Sequence, residues 1–204
     1  MSTTPRVGVF GGTFDPPHVG HVHVAADVAD HLSLDRVLWV PARVSPFKQR
    51  EETSPPEVRL EMVRRAAALD PRFEVDTREL ERPPPSYTAD TLEAIRGDFP
   101  DAELFLILGA DQFEQFGRWR DPERIVAAAR LAVMDRDETP ARVFAPDVAE
   151  AVPGLRDATV FVPVRAVDVS STAVREAVAR GEDPAGSVPE GVARSIRARG
   201  LYRR

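Results

Sequence analysis

One stretch constrains this chain more than any other: Val7-Gly8-Val9-Phe10-Gly11-Gly12-Thr13-Phe14-Asp15-Pro16-Pro17-His18-Val19-Gly20-His21. Its opening, Arg6 to Phe10, is a short apolar run of strand character. Gly11 and Gly12 follow at once and leave backbone N–H groups open to close approach by another group. Pro16 and Pro17 stop the strand and preset φ for entry into a helix, which the pattern places from about His18 to His31. His18 and His21 are three apart and so share one face of the first turn. That turn carries unsatisfied N–H groups and the positive end of the helix dipole. Strand, glycine pair and helix N-terminus therefore make an anion site to which two imidazoles belong. A plain turn followed by ordinary surface histidines would be the unremarkable alternative, but the order of the parts favours phosphate handling. All four histidines lie between positions 18 and 31. His23 leaves the shared face and the chain has no cysteine, so the ligand spacing argues against zinc.

A second anion grip is written near the carboxyl end, in Val169-Ser170-Ser171-Thr172-Ala173-Val174-Arg175. Ser and Thr are natural N-cap residues. A cation this close to a helix N-terminus runs against the dipole, which points to an anion shared among N–H groups, hydroxyls and guanidinium. By itself the segment also reads as a capped helix with a solvated arginine. Paired with the first motif, it reads as the other half of a phosphate site.

Between these two stretches, apolar runs and helical periods alternate. Strands are expected at Asp35–Val40, Phe73–Val75, Leu104–Leu108, Leu131–Met134 and Thr159–Pro163. Helices are expected at Glu57–Leu69, Thr88–Arg96, Pro122–Ala129, Ser171–Arg180 and Glu190–Arg199, with a helical stretch to Phe116 following the turn Gly109-Ala110-Asp111, and Thr139–Pro153 stays undecided. Residues Val58, Met62, Ala66 and Leu69 form the apolar side of the second helix. Such alternation gives an α/β fold, a doubly wound parallel sheet of Rossmann-like type with a small C-terminal helical part. Ligands in such sheets sit beyond the C-terminal strand ends, where all the motifs fall. At 204 residues the chain suits one domain, with core sheet and helices over 5–165 and the helical part over 166–204. A net charge of −6 argues against a nucleic-acid partner. No run is long enough for a membrane span, and the amino end lacks an apolar signal region, so no membrane partner is expected and the cytoplasm is the expected compartment. Of the 27 basic residues only Lys48 is a lysine, which draws attention to the loop Ala42–Pro56 that carries it.

The long motif Gly-Gly-x-Phe-Asp-Pro-x-His-x-Gly-His resembles the nucleotidyltransferases with the His-x-Gly-His signature, and the Ser-Ser-Thr-x-x-Arg stretch resembles their C-terminal phosphate motif. Four further pieces are similar to the bacterial nicotinate mononucleotide adenylyltransferase family: Val40-Pro41 with Ser45-Pro46-Phe47-Lys48, Ser86-Tyr87-Thr88-Ala89-Asp90-Thr91-Leu92, Leu108-Gly109-Ala110-Asp111 and Phe116-Gly117-Arg118-Trp119. The likeness runs from about Arg6 to Tyr202. Phe47 departs from it, since the family usually has His before Lys; Val169 stands where Ile is usual.

The resemblance implies transfer of AMP from ATP to nicotinate mononucleotide, with release of pyrophosphate. It implies catalytic roles for His18, His21, Lys48 and Arg175. ATP would be bound by Gly11, Gly12, Phe14, His18, His21, Gly109, Asp111, Ser170, Ser171, Thr172 and Arg175. Nicotinate mononucleotide would be bound by Gly12, Thr13, Phe14, Lys48, Tyr87, Thr88, Trp119 and Arg120, with the indole on the pyridine and Thr88 and the backbone after Trp119 on the carboxylate. Physical chemistry agrees: an aromatic plane suits a flat heterocycle, and N–H or hydroxyl donors suit a carboxylate. Mg²⁺ is expected to arrive with ATP, with no metal site of the protein's own. The oligomeric state is open to a homo-oligomer. Pantetheine-phosphate adenylyltransferase and cytidylyltransferases share both phosphate motifs but not the Ser86–Leu92 and Gly109–Trp119 combination. A nucleotide-binding module without turnover is a rival, against which the intact His18, His21 and Arg175 speak. An NAD-dependent oxidoreductase is disfavoured because no Gly-x-Gly-x-x-Gly follows the first strand.

Overall fold

The computed structural model describes residues 4–44, 53–135, 152–165 and 167–203. Strands β1 (Arg6–Gly12), β2 (Arg36–Pro41), β3 (Phe73–Val75), β4 (Glu103–Gly109), β5 (Arg130–Asp135) and β6 (Thr159–Pro163) make one six-stranded sheet in the order β3-β2-β1-β4-β5-β6. Every pairing is parallel. Helices α1 (Val19–His31), α2 (Pro56–Ala67), α3 (Arg78–Glu81), α4 (Thr88–Asp98), α5 (Ala110–Glu114), α6 (Pro122–Ala128), α7 (Leu155–Ala158), α8 (Ser171–Ala179) and α9 (Glu190–Arg199) connect and cover the strands, with a 3₁₀ turn at Phe116–Arg118.

The strands read as continuous apolar runs because both sheet faces are buried. Alternate residues go to opposite cores, as period two requires. Leu104, Leu106 and Leu108 of β4 join Val7, Val9 and Leu92 on one face. Phe105 and Ile107 join Phe10, Trp39 and Val28 on the other. Helices α4 and α6 cover the first face; α1, α2, α8 and α9 cover the second. After β6 the chain thus returns over the face that carries α1, and the Val19 N–H donates to the Ser187 carbonyl at 3.0 Å.

Strand register opens the ligand crevice. β1 pairs with β2 as far as Gly12 opposite Pro41, but with β4 only as far as Val9 opposite Leu106. β4 instead runs on beside β5 to Gly109 opposite Met134. The ends of β1 and β4 therefore part where the strand order reverses, the position at which open parallel sheets take their ligands.

Two short helices carried no signal in the sequence. α3 is Arg-Glu-Leu-Glu, with no apolar period, and α7 borders the undecided segment, of which 139–151 lie outside the described residues. Leu69 departs from expectation. α2 ends at Ala67 with Ala68 as its C-cap, so Leu69 falls beyond the helix and is 61% exposed.

Candidate active site

The phosphate loop is held by packing as much as by its own bonds. Phe14 adopts φ 50°, an uncommon conformation for a bulky residue, and its buried ring covers Gly12. A Cβ at Gly12 would stand 2.9 Å from that ring, so only glycine fits there. The Phe14 side chain is therefore part of the core. Its ring meets His21 edge-on, with centroids 5.1 Å apart.

His18 is the N-cap of α1 and is buried. Its ring stacks on that of His21 at 3.6 Å between centroids, as their three-residue spacing allows. The backbone N–H of His18 donates to His21 Nδ1 at 3.1 Å. That bond makes Nδ1 the acceptor, so a neutral His21 carries its proton on Nε2. Burial holds the His21 imidazole well below its ordinary range, and the neighbouring His18 pushes the same way. A neutral ring with a fixed Nε2–H donor is the result at pH 7.

The C-terminal motif docks directly on this loop. Ser170 caps α8, accepting from the Ala173 N–H at 3.1 Å. The Ser171 hydroxyl donates to the Pro16 carbonyl at 2.9 Å, and Arg175 Nη1 donates to the Asp15 carbonyl at 2.8 Å. Arg175 Nη2 reaches the Thr172 hydroxyl at 3.3 Å. Gly20 makes the approach possible: a Cβ there would lie 3.0 Å from the His18 ring and 3.1 Å from Val169. Gly11, Gly12, His18, His21, Ser170, Ser171, Thr172 and Arg175 thus form one neighbourhood. Lys48, with Phe47, lies outside the described residues.

Beneath it sits a polar framework that sequence reasoning missed. Asp15 is 3% exposed; its carboxylate accepts from the Tyr202 hydroxyl at 2.6 Å and from the Ser54 N–H at 2.8 Å. Arg59 is fully buried and donates to three main-chain carbonyls, those of Thr13 at 2.8 Å, Ser54 at 3.0 Å and Arg43 at 3.1 Å. Burial lowers its pKa, which the nearby Asp15 partly offsets. A signal for Arg59 did exist. It stands in helical register with the buried Met62, Val63 and Ala66, an odd place for a cation unless it has partners.

The wall beyond β4 is looser. Gly109 is the N-cap of α5, and its N–H donates to the Gln112 side chain at 3.2 Å, while Asp111 is exposed. Phe113 and Phe116 anchor this stretch in the core, and Trp119 lies half-buried with its ring 5.5 Å from that of Phe116. The Arg120 guanidinium stands 4.4 Å over the Tyr87 ring, which brings Gly117–Arg120 beside Ser86–Thr88. Thr88 opens α4. Arg124 fastens α6 to α4 through Glu93 at 2.7 Å and Asp90 at 3.2 Å. The Thr91 hydroxyl bonds the buried Glu79 carboxyl at 2.6 Å, and burial pushes the Glu79 pKa up.

Donors for a resident metal are not gathered here. Among the described residues no group of three or more His, Asp or Glu is arranged to hold an ion. Both Asp15 oxygens are already taken by Tyr202 and Ser54. Among the described residues no helix is long and apolar enough to cross a membrane.

Comparison with known proteins follows the same lines. The cytidylyltransferase-like family model matches residues 9–177. A probable nicotinate-nucleotide adenylyltransferase of Roseiflexus sp. (strain RS-1) is 42% identical over 203 residues, covering 100% of both chains. One from Gemmatimonas aurantiaca is 41% identical, over 97% of this chain and 92% of its own. In three dimensions the chain is similar to the Plasmodium falciparum nicotinic acid mononucleotide adenylyltransferase complexed with NaAD. The TM-score is 0.75 at 15% identity, over 97% of each chain, a likeness of fold.

Proposed function

The chain belongs to the nicotinate-nucleotide adenylyltransferases of the cytidylyltransferase-like family, and from that premise we propose how its residues divide the work. The reaction moves AMP from ATP to nicotinate mononucleotide, giving nicotinate adenine dinucleotide and pyrophosphate, a step of NAD biosynthesis. The mononucleotide phosphate attacks the α-phosphorus in line; one P–O bond forms as the bond to pyrophosphate breaks. The nucleophile is already an anion, so no general base is required. Catalysis then lies in alignment and in meeting charge that builds on the α-phosphate and leaving group.

His18, His21 and Arg175 supply that stabilisation, with Ser170, Ser171 and Thr172 around the triphosphate and Lys48 as a further cation. His21 offers its Nε2–H from a ring fixed at the other nitrogen. Gly109 and Asp111 take the adenosine ribose. Trp119 stacks on the pyridine, while Tyr87, Thr88 and Arg120 serve the carboxylate end. Gly11, Gly12, Thr13 and Phe14 lend backbone to both nucleotides. Mg²⁺, held by ATP oxygens and water, would neutralise the polyphosphate.

The observation that carries this reading is the Arg175 bond to the Asp15 carbonyl at 2.8 Å, because it joins both ends of the chain at one anion site. Pyrophosphate release from MgATP, offered with nicotinate mononucleotide, nicotinamide mononucleotide or phosphopantetheine, tests it. The nicotinate form should turn over fastest. Preference for the nicotinamide form would remove the carboxylate roles of Thr88 and Arg120.

A further inference from the structure

Tyr202 and Asp15 lie 187 residues apart and meet beneath the phosphate loop. We propose that Tyr202 is a positioning residue for ATP: its hydroxyl fixes Asp15, and the fixed Asp15 carbonyl sets the Arg175 guanidinium against the triphosphate. This rests on the reading of Arg175 as a phosphate contact.

The geometry leaves Asp15 little freedom. Each carboxylate oxygen has its own donor, Tyr202 at 2.6 Å and Ser54 at 2.8 Å. Its carbonyl accepts from Arg175 at 2.8 Å. Both ends of one residue are thus bonded, and the two side-chain anchors hold the Asp15 main chain, and with it the carbonyl that seats Arg175, against displacement. Arg59 locks the neighbouring Thr13 carbonyl at 2.8 Å, which stiffens the loop from the other side.

Tyr202 also holds an uncommon backbone conformation, φ 63°, outside any helix or strand. A left-handed tyrosine costs on the order of 1 kcal/mol and persists where its surroundings over-determine it. Burial and then the Asp15 charge push the phenol above its ordinary range, so it stays a donor throughout the working pH range. Arg175 spends one donor on Asp15 and one on Thr172, and its other N–H groups have no partner among the described residues. A hydrogen bond to a buried carboxylate is a strong one. Its role here is placement, since the Tyr202 hydroxyl is committed to the Asp15 carboxylate.

The test is a double-mutant cycle on MgATP affinity, measured by calorimetry without the second substrate. Tyr202→Phe keeps the ring and removes only the donor; it should weaken MgATP about tenfold. In an Arg175→Ala background the same change should alter affinity less than twofold. A merely structural tyrosine would cost the same in both backgrounds, and that equality would overturn the proposal, as would wild-type affinity in Tyr202→Phe. KM for nicotinate mononucleotide should stay within twofold in Tyr202→Phe. Arg175→Ala alone reads the underlying assignment: wild-type MgATP affinity there would remove Arg175 from the phosphates, a different failure from that of Tyr202.

Discussion

The two walls of the crevice are built on opposite plans. The wall at β1 and α8 is a buried polar interlock in which Asp15, Arg59 and Arg175 bond main-chain or side-chain partners across the whole length of the chain. The wall beyond β4 is short helices, half-buried rings and exposed cations, such as Trp119 and the Arg120–Tyr87 pair. The contrast follows from what each wall meets. Charge that develops on a phosphate is best met by donors already in place, because any reorganisation during the reaction costs rate. A flat heterocycle is recognised through area and π-face, which tolerate small displacements. Rigidity is therefore concentrated where charge changes.

The sharpest way to break that contrast is at Arg59. Arg59→Met keeps much of the volume but leaves the Thr13, Ser54 and Arg43 carbonyls without their donor. Breaking such a buried polar set costs about 3–5 kcal/mol, which thermal unfolding would register as a fall of roughly 10 °C in a chain of this size. An unchanged Tm would show that the interlock does not bear on stability. His21→Ala addresses the same wall from the side of chemistry. Its kcat should fall on the order of 10²–10³-fold, with Tm within a few degrees of wild type. Near wild-type turnover would take His21 out of the mechanism.

Acid tests the desolvation of the β1 wall directly. The folded chain keeps His21 neutral below the pH at which the unfolded chain protonates it, near 6.5. Between those two pKa values the unfolded state holds the extra proton, so stability is complete above 6.5 and declines as pH drops, by at most about 1.4 kcal/mol per pH unit. Glu61 behaves differently: Arg65, Arg199 and Ser195 hold its carboxylate at about 2, so its share is lost only below the ordinary 4.5. Unfolding free energies between pH 7 and 5 should therefore fall more steeply for wild type than for His21→Gln. Parallel slopes would mean that the His21 ring is not desolvated.

Much of this was readable from the chain alone, and the limits have physical causes. Apolar runs such as Leu104–Leu108 announce strands because burial on both faces leaves no other pattern. The motif around His18 announces a phosphate loop because glycines, prolines and helix entry must come in that order. Asp15 stood inside the same motif, yet its role depends on Tyr202, which lies far away in sequence and only meets it through the fold. Arg59 is similar, with a partner at Thr13, 46 residues distant. A periodicity argument sees a helix face; it does not see which carbonyls a long side chain will reach. Leu69 failed for the converse reason, since periodicity does not say where a helix stops.

The mildest test falls on the looser wall, at Trp119. Removing a ring that stacks on a substrate forfeits about 0.5–1.5 kcal/mol beyond the area it covers. Trp119→Ala should then raise KM for nicotinate mononucleotide about tenfold, while kcat falls less than threefold and KM for ATP stays within twofold. Trp119→Phe should recover most of the loss, because a smaller ring still offers a face. The split matters more than the size. Uniform binding lost at the base raises KM alone, whereas donors lost at the phosphates lower kcat. If Trp119→Ala were to depress kcat as His21→Ala does, the looser wall would also be setting the reacting atoms in line, and the division of labour between the two walls would collapse.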